Sequence, residues 1–212
     1  MEELRGQSLA ESVFSVIEQG ILSGEYPKGS LLSENALSKK LNVSRTPIRE
    51  AISRLSQENL VKETPKGHVV TGVSAGDIAD IYDIRIKIEG EATARCAIAI
   101  TEGALNELEE VVDLQEFYTA KGETDKIKGT DNDFHRIIYE NCGSEIYSAV
   151  LTTLHKKAQR YRKQSFASSE RAKRAAAEHR AILDALKNRD AELARSLAIR
   201  HVENAKESIV NK

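Results

Sequence analysis

Asp131 and His135 stand four residues apart, and His179 and His201 follow in two later segments. Carboxylate and imidazole are side chains that bind divalent metals. Spacing by four puts Asp131 and His135 on one face of a helix, the face that also carries Ile127, Phe134 and Ile138. His179 shares a face with Ala175, Ile182 and Leu186, and His201 with Ala194, Leu197 and Ala205. Three imidazoles and one carboxylate from three helices can therefore converge inside a bundle. A carboxylate in such a core needs a cation or strong donors, which a divalent metal supplies. Hydrogen-bonded core histidines, with Asp131 and His135 paired along one helix, are the alternative. Arg85 lies on the side of Ile78, Ile81, Tyr82 and Ile88, so this cation also points inward and needs an anion, for which Glu89 has the right spacing. His155 sits at the edge of the stripe Ile146, Val150, Leu154 and Tyr161 and is not expected at the site.

A second concentration of chemistry is cationic. Between Lys39 and Arg54 the chain carries Lys39, Lys40, Arg45, Arg49 and Arg54 against Glu50 alone, while the whole chain has a formal charge of −2. Any nucleic-acid surface must therefore be local. Ser44, Arg45, Thr46 and Arg49 gather at the start of a short helix, where side chains reach base edges when that helix enters a major groove. Arginine can donate two hydrogen bonds to O6 and N7 of guanine, and Ser44 and Thr46 suit phosphates. Lys66, Gly67 and His68 form a tip that could touch the DNA backbone or minor groove. The competing reading is a solvated helix face whose arginines are balanced by Glu50.

The elements that would hold these groups follow from pattern. Leu9, Val13, Val16, Ile17 and Ile21 predict a helix from about Ser8 to Ser23, closed by Gly24. Ser33 predicts the cap of a short helix, and Ser44 that of the next, with Pro47 in its first turn. Val61, Val69 and Val70 flank a turn at Pro65-Lys66-Gly67, which predicts a hairpin wing. From a capping box at Ser74 and Asp77 onward the stripes are all helical, punctuated by Gly103, Gly122, Gly143 and Asn188. The expected fold is mainly α: a winged helix-turn-helix over residues 1–73, a linker at 74–77, and an all-α bundle of six or seven helices over 78–212. The composition, 40% hydrophobic and 30% charged, suits a folded chain, and Cys96 and Cys142 read as buried thiols. No apolar run reaches the roughly 20 residues of a membrane span, and no leader pattern opens the chain. A cytoplasmic location with no membrane partner is expected.

The run VSRTPIREAISRL, Val43 to Leu55, set between Leu32-Ser33-Glu34 and a glycine-containing wing, resembles the DNA-binding domain of the GntR family. IYDIRIKIEGEATARCA (Ile81 to Ala97), DNDFH (Asp131 to His135), EHRAILDALKNRDAELA (Glu178 to Ala194) and His201 resemble the FCD ligand-binding domain of the FadR subfamily. The resemblance implies a homodimeric regulator, not an enzyme, that binds double-stranded, near-palindromic operator DNA. It implies a metal on Asp131, His135, His179 and His201, with zinc, nickel and manganese all open. It further implies a small carboxylate or hydroxy-acid effector, with Arg85 contacting its acid group. Asn35 departs from the pattern, since many relatives carry arginine there. A metal-sensing regulator, a metal-dependent enzyme acting on a small acid, and a purely architectural DNA binder are the other readings.

Overall fold

The computed structural model describes residues 8–158, 166 and 168–210. The chain forms two compact units that divide between Ser74 and Ala75. In the first, α1 (Leu9–Ser23) begins at Ser8, whose hydroxyl accepts from the Glu11 N–H, and ends at Gly24 in the left-handed conformation (φ 88°). Next come β1 (Leu31–Leu32), α2 (Glu34–Leu41), α3 (Arg45–Gln57), β2 (Val61–Thr64) and β3 (Gly67–Val70). Ser33 caps α2 through the Ala36 N–H. Ser44 occupies the N-cap position of α3 with extended backbone but makes no capping hydrogen bond, so the expected side-chain cap is not formed. The antiparallel sheet has the order β1-β3-β2, with Val69 opposite both Leu31 and Lys62. Ile17, Ile48, Ile52, Leu55 and Leu60 are fully enclosed and hold the helices on the sheet. At about 1.5–3 kcal/mol for each large apolar side chain, such burial fixes α3 while leaving its polar face outward.

The second unit holds six helices among the described residues: α4 (Ala75–Ala99), α5 (Glu102–Lys121), α6 (Thr124–Glu140), α7 (Glu145–Lys157), α8 (Ser169–Lys187) and α9 (Ala191–Val210). Helix α4 starts inside the stretch read from sequence as a linker. Thr101 caps α5, so Gly103 lies within its first turn instead of breaking the chain there. Ser144 caps α7 and Ser168 caps α8. Arg189 donates to the carbonyls of Ala97 (3.2 Å) and Ile100 (2.6 Å), meeting acceptors left over at the end of α4. Helix α9 packs along α4 at close range: a methyl group at Gly90 would lie 2.7 Å from Cγ1 of Ile199 and 3.1 Å from the Arg195 carbonyl. Cys96, Leu108, Phe134, Ile138, Leu151, Leu183 and Ala198 form the core. No helix of the described residues is long and apolar enough to cross a membrane.

Helix α7 is rotated relative to its expected face. Ile146 (76% exposed) and Val150 (42%) face outward, whereas Leu151 and His155 are buried. Tyr147, Leu151 and His155 have the same four-residue spacing as Ile146, Val150 and Leu154, so periodicity alone could not separate the two faces. Tyr161, placed on that stripe by the sequence, lies outside the described residues.

Candidate functional site

In the first unit, α3 and α2 bring together two arginines and one carboxylate. Ser44, Arg45, Thr46 and Arg49 are all exposed at the start of α3. Glu34 Oε2 accepts from Arg45 Nε (3.3 Å) and NH2 (3.0 Å) and from Arg49 Nε (2.8 Å). The balancing anion is therefore Glu34 from α2, not the neighbouring Glu50. Hydrogen bonds from Arg49 and then Arg45 hold the Glu34 carboxyl below its usual range. Asn35 beside it is exposed. Two other cations of this stretch have internal work: Lys40 pairs with Glu25 at 2.5 Å, and Arg54 pairs with Glu11 at 2.5 Å while lying over the Phe14 ring, whereas Lys39 is exposed. At the wing, Lys66 is exposed and Gly67 is half-buried with φ 115°. His68 stands within β3, opposite Glu63 and Leu32, so the tip is Pro65-Lys66 and His68 sits behind it.

In the second unit, α6 supplies Asp131 and His135, α8 supplies His179 and α9 supplies His201, all buried. Ligand-type nitrogens of the three histidines lie within 4.8 Å of one another. His179 Nε2 and His201 Nε2 are 3.3 Å apart. Asp131 Oδ1 lies 3.9 Å from Nε2 of both His135 and His179.

Each ring is held from behind. His135 Nδ1 lies 3.0 Å from Glu89 Oε1, His201 Nδ1 lies 2.7 Å from Glu178 Oε2, and His179 Nδ1 lies 2.7 Å from Gln115 Oε1. A carboxylate can only accept, so His135 and His201 carry their hydrogen on Nδ1, and Gln115 selects the same tautomer at His179. Phe134 stacks on His179 at 3.8 Å and fixes its plane. The Nε2 lone pairs then face one another and the Asp131 carboxylate. Negative potential of this kind calls for a cation, and three imidazole nitrogens with one carboxylate oxygen are a donor set that fits a divalent first-row metal.

The charges behind the rings are themselves paired. Arg85 and Glu89, both on α4 and almost fully enclosed, form two hydrogen bonds (Nε to Oε2 2.8 Å, NH2 to Oε1 3.2 Å). Burial alone would raise the Glu89 carboxyl, but Arg85 and then His135 outweigh it and hold it well below the usual range. The same burial lowers the His135 imidazole and favours the neutral form a metal needs. Glu178 is held at about 2: burial opposes this, and His201, Arg171 and Asn204 overcome it. Arg85 NH1 is buried with no hydrogen-bond partner. It lines a cavity of about 10 Å³ together with Tyr82, Asp131, His135, Arg171 and His201. That is room for roughly one water-sized group.

The structure thus gathers all four residues expected at the metal centre, and gives Arg85 the Glu89 pairing with one guanidinium nitrogen left over. Sequence reasoning missed Gln115, Glu178 and Arg171 as supports, although Gln115 continues the stripe Leu105, Leu108, Val112 and Arg171 lies one turn before Ala175. It also set aside His155, whose Nε2 lies 3.3 Å from Asn132 Oδ1 and 3.9 Å from Asp131 Oδ2, with its ring 4.5 Å from that of His135. The misassigned face of α7 accounts for that omission.

Both units match known protein families. Residues 80–204 match the FCD domain, and residues 9–69 match the bacterial regulatory proteins of the gntR family. The chain is 25% identical over 204 residues to the HTH-type transcriptional repressor RspR of Escherichia coli (strain K12), covering 96% of this chain and 90% of that one. It is 31% identical over 118 residues to the gluconate operon transcriptional repressor of Bacillus licheniformis, covering 56% and 49% respectively. Among solved structures its fold is similar to that of E. coli McbR/YncC, with a TM-score of 0.80 at 23% identity over 93% of this chain and 95% of that one.

Proposed function

The chain belongs to the gntR family of bacterial regulatory proteins that carry an FCD domain, a family of DNA-binding transcription regulators and not enzymes, and from that premise we propose how its two sites divide the work. The first unit reads operator DNA, with Arg45 and Arg49 at base edges, Ser44 and Thr46 at phosphates, and Lys66, Gly67 and His68 as the wing contact. Two copies of the chain bind a near-palindromic double-stranded operator as a homodimer. The second unit holds a divalent metal, zinc, nickel or manganese, on Asp131, His135, His179 and His201. When bound, the metal supplies the positive charge the lone pairs call for and open positions for an oxygen ligand. The effector is a small carboxylate or hydroxy acid whose acid group also reaches Arg85.

The observation that carries this reading is the set of three imidazoles, each fixed through Nδ1 so that Nε2 faces a common centre with Asp131. Arg85 NH1, buried without a partner beside that centre, favours a carboxylate effector over a regulator that answers to the metal alone. Because the cavity admits only about one water, an effector enters only as its lining moves. Ligand-free and ligand-bound arrangements therefore differ, and their populations set operator affinity. Linkage makes this reciprocal: an effector that weakens operator binding is itself bound less tightly by the DNA complex.

The test is metal content by elemental mass spectrometry for the wild type and His179→Ala, with operator titrations in the presence of metal and of carboxylic acids separately. The expected result is a fall in metal content for H179A and loss of its response to acids, with DNA binding retained. Unchanged metal stoichiometry removes His179 from the site. A response of the wild type to metal and to none of the acids replaces the effector reading with metal sensing.

A further inference from the structure

The two arginines at the tip of α3 are joined to α2 by a single carboxylate oxygen. Like charges one helical turn apart repel, and long arginine side chains on a surface sample many rotamers. Glu34 counters both effects. It takes Nε and NH2 of Arg45 and Nε alone of Arg49. Arg45 NH1 and both terminal nitrogens of Arg49 have no partner among the described residues, so donors remain available to a base. The carboxylate itself sits at the first residue of α2, where the helix start favours an anion, and its side chain is 21% exposed against 53% and 61% for its partners.

We propose that Glu34 is a specificity-determining residue of the DNA reader: it fixes the directions of Arg45 and Arg49 toward base edges and, as an anion beside the phosphates, weakens binding to unselected DNA. The inference rests on the assignment of Arg45 and Arg49 as base readers. Its two effects act on different complexes. A positioned arginine fork adds affinity only where the correct guanine is met. A negative charge at the interface opposes every sequence alike, through the phosphates. Asn35 sharpens this balance, because the adjacent position adds no cation to offset Glu34.

The experiment uses the full chain and two duplexes: one selected from a random-sequence pool by the wild-type protein, and one of scrambled sequence. Affinities for both are measured across a salt series for the wild type, Glu34→Ala, Glu34→Gln and Arg45→Ala, with unfolding curves for each. For E34A, affinity for scrambled DNA rises while affinity for the selected duplex falls, and the ratio of the two drops about tenfold or more. The salt dependence on scrambled DNA steepens by about one unit of slope as one anion is lost. E34Q, which keeps an acceptor oxygen without the charge, recovers part of the ratio. If E34A strengthens binding to both duplexes by the same factor, Glu34 is only a repelling charge and the inference is overturned. If both affinities are unchanged it is overturned as well. Arg45→Ala separates this from the underlying assignment. A wild-type ratio for R45A removes the base-reading role itself. A collapsed ratio for R45A beside an intact one for E34A removes only the role of Glu34.

Discussion

Glu89→Gln tests whether the proposed metal centre is built from behind. Glu89 is enclosed with Arg85, and its two oxygens serve Arg85 Nε, Arg85 NH2 and His135 Nδ1. Glutamine keeps the shape and one acceptor but removes the charge, and its amide hydrogens then confront either the guanidinium or the Nδ1 hydrogen. Leaving one member of a buried pair without its partner costs about 3–5 kcal/mol. Urea denaturation of the metal-free full chain, followed by circular dichroism, should show the helical unit destabilised by that amount. Metal affinity should fall by roughly 10- to 100-fold, because His135 loses the acceptor that fixes its tautomer. The double variant Arg85→Met/Glu89→Met separates the two losses. With both charges gone, stability should return to near the wild type, while metal affinity stays low. The reasoning fails if E89Q loses less than about 1 kcal/mol, or if the double variant is as unstable as E89Q.

The reassigned face of α7 gives a second test: Leu151→Ala should lower stability by about 2–5 kcal/mol, whereas Ile146→Ser should stay within about 0.5 kcal/mol of wild type. The reverse order in thermal unfolding would restore the sequence-based face. Burial raises the Cys96 thiol to about 12. A thiol whose folded pKa lies above its unfolded value of about 8.5 favours the folded state at lower pH and loses that contribution as pH rises toward 12. Iodoacetamide at pH about 8.5, the free-thiol pKa, should leave Cys96 unmodified in native protein and alkylate it in urea. Rapid modification of the folded chain would contradict the packing.

Much of this architecture was readable because local signals were strong. Ser33 before α2, Gly24 after α1 and the Pro65-Lys66-Gly67 turn each carry their own stereochemical reason. The inward Asp131, His135, His179 and His201 were readable because polar side chains interrupting an apolar stripe must be answered inside the core. What escaped was non-local. Two residues, Leu31–Leu32, become a strand only because β3 lies beside them. Glu34 meets Arg45 and Arg49 across 11 and 15 positions of sequence, beyond the reach of helical spacing. Helix α7 offered apolar groups on two faces, and only packing against its neighbours chose Leu151 and His155.

At Gly90, the absence of a side chain sets a gauge. Helix α4 bears Glu89, α9 bears His201, and their closeness near Ile199 depends on a hydrogen atom where any other residue would present carbon. Enlarging that position would act as a wedge between two walls of the proposed metal site, spreading its claws without altering one of them. A regulator of this build could therefore lose its grip on a ligand through drift at a residue that never touches it.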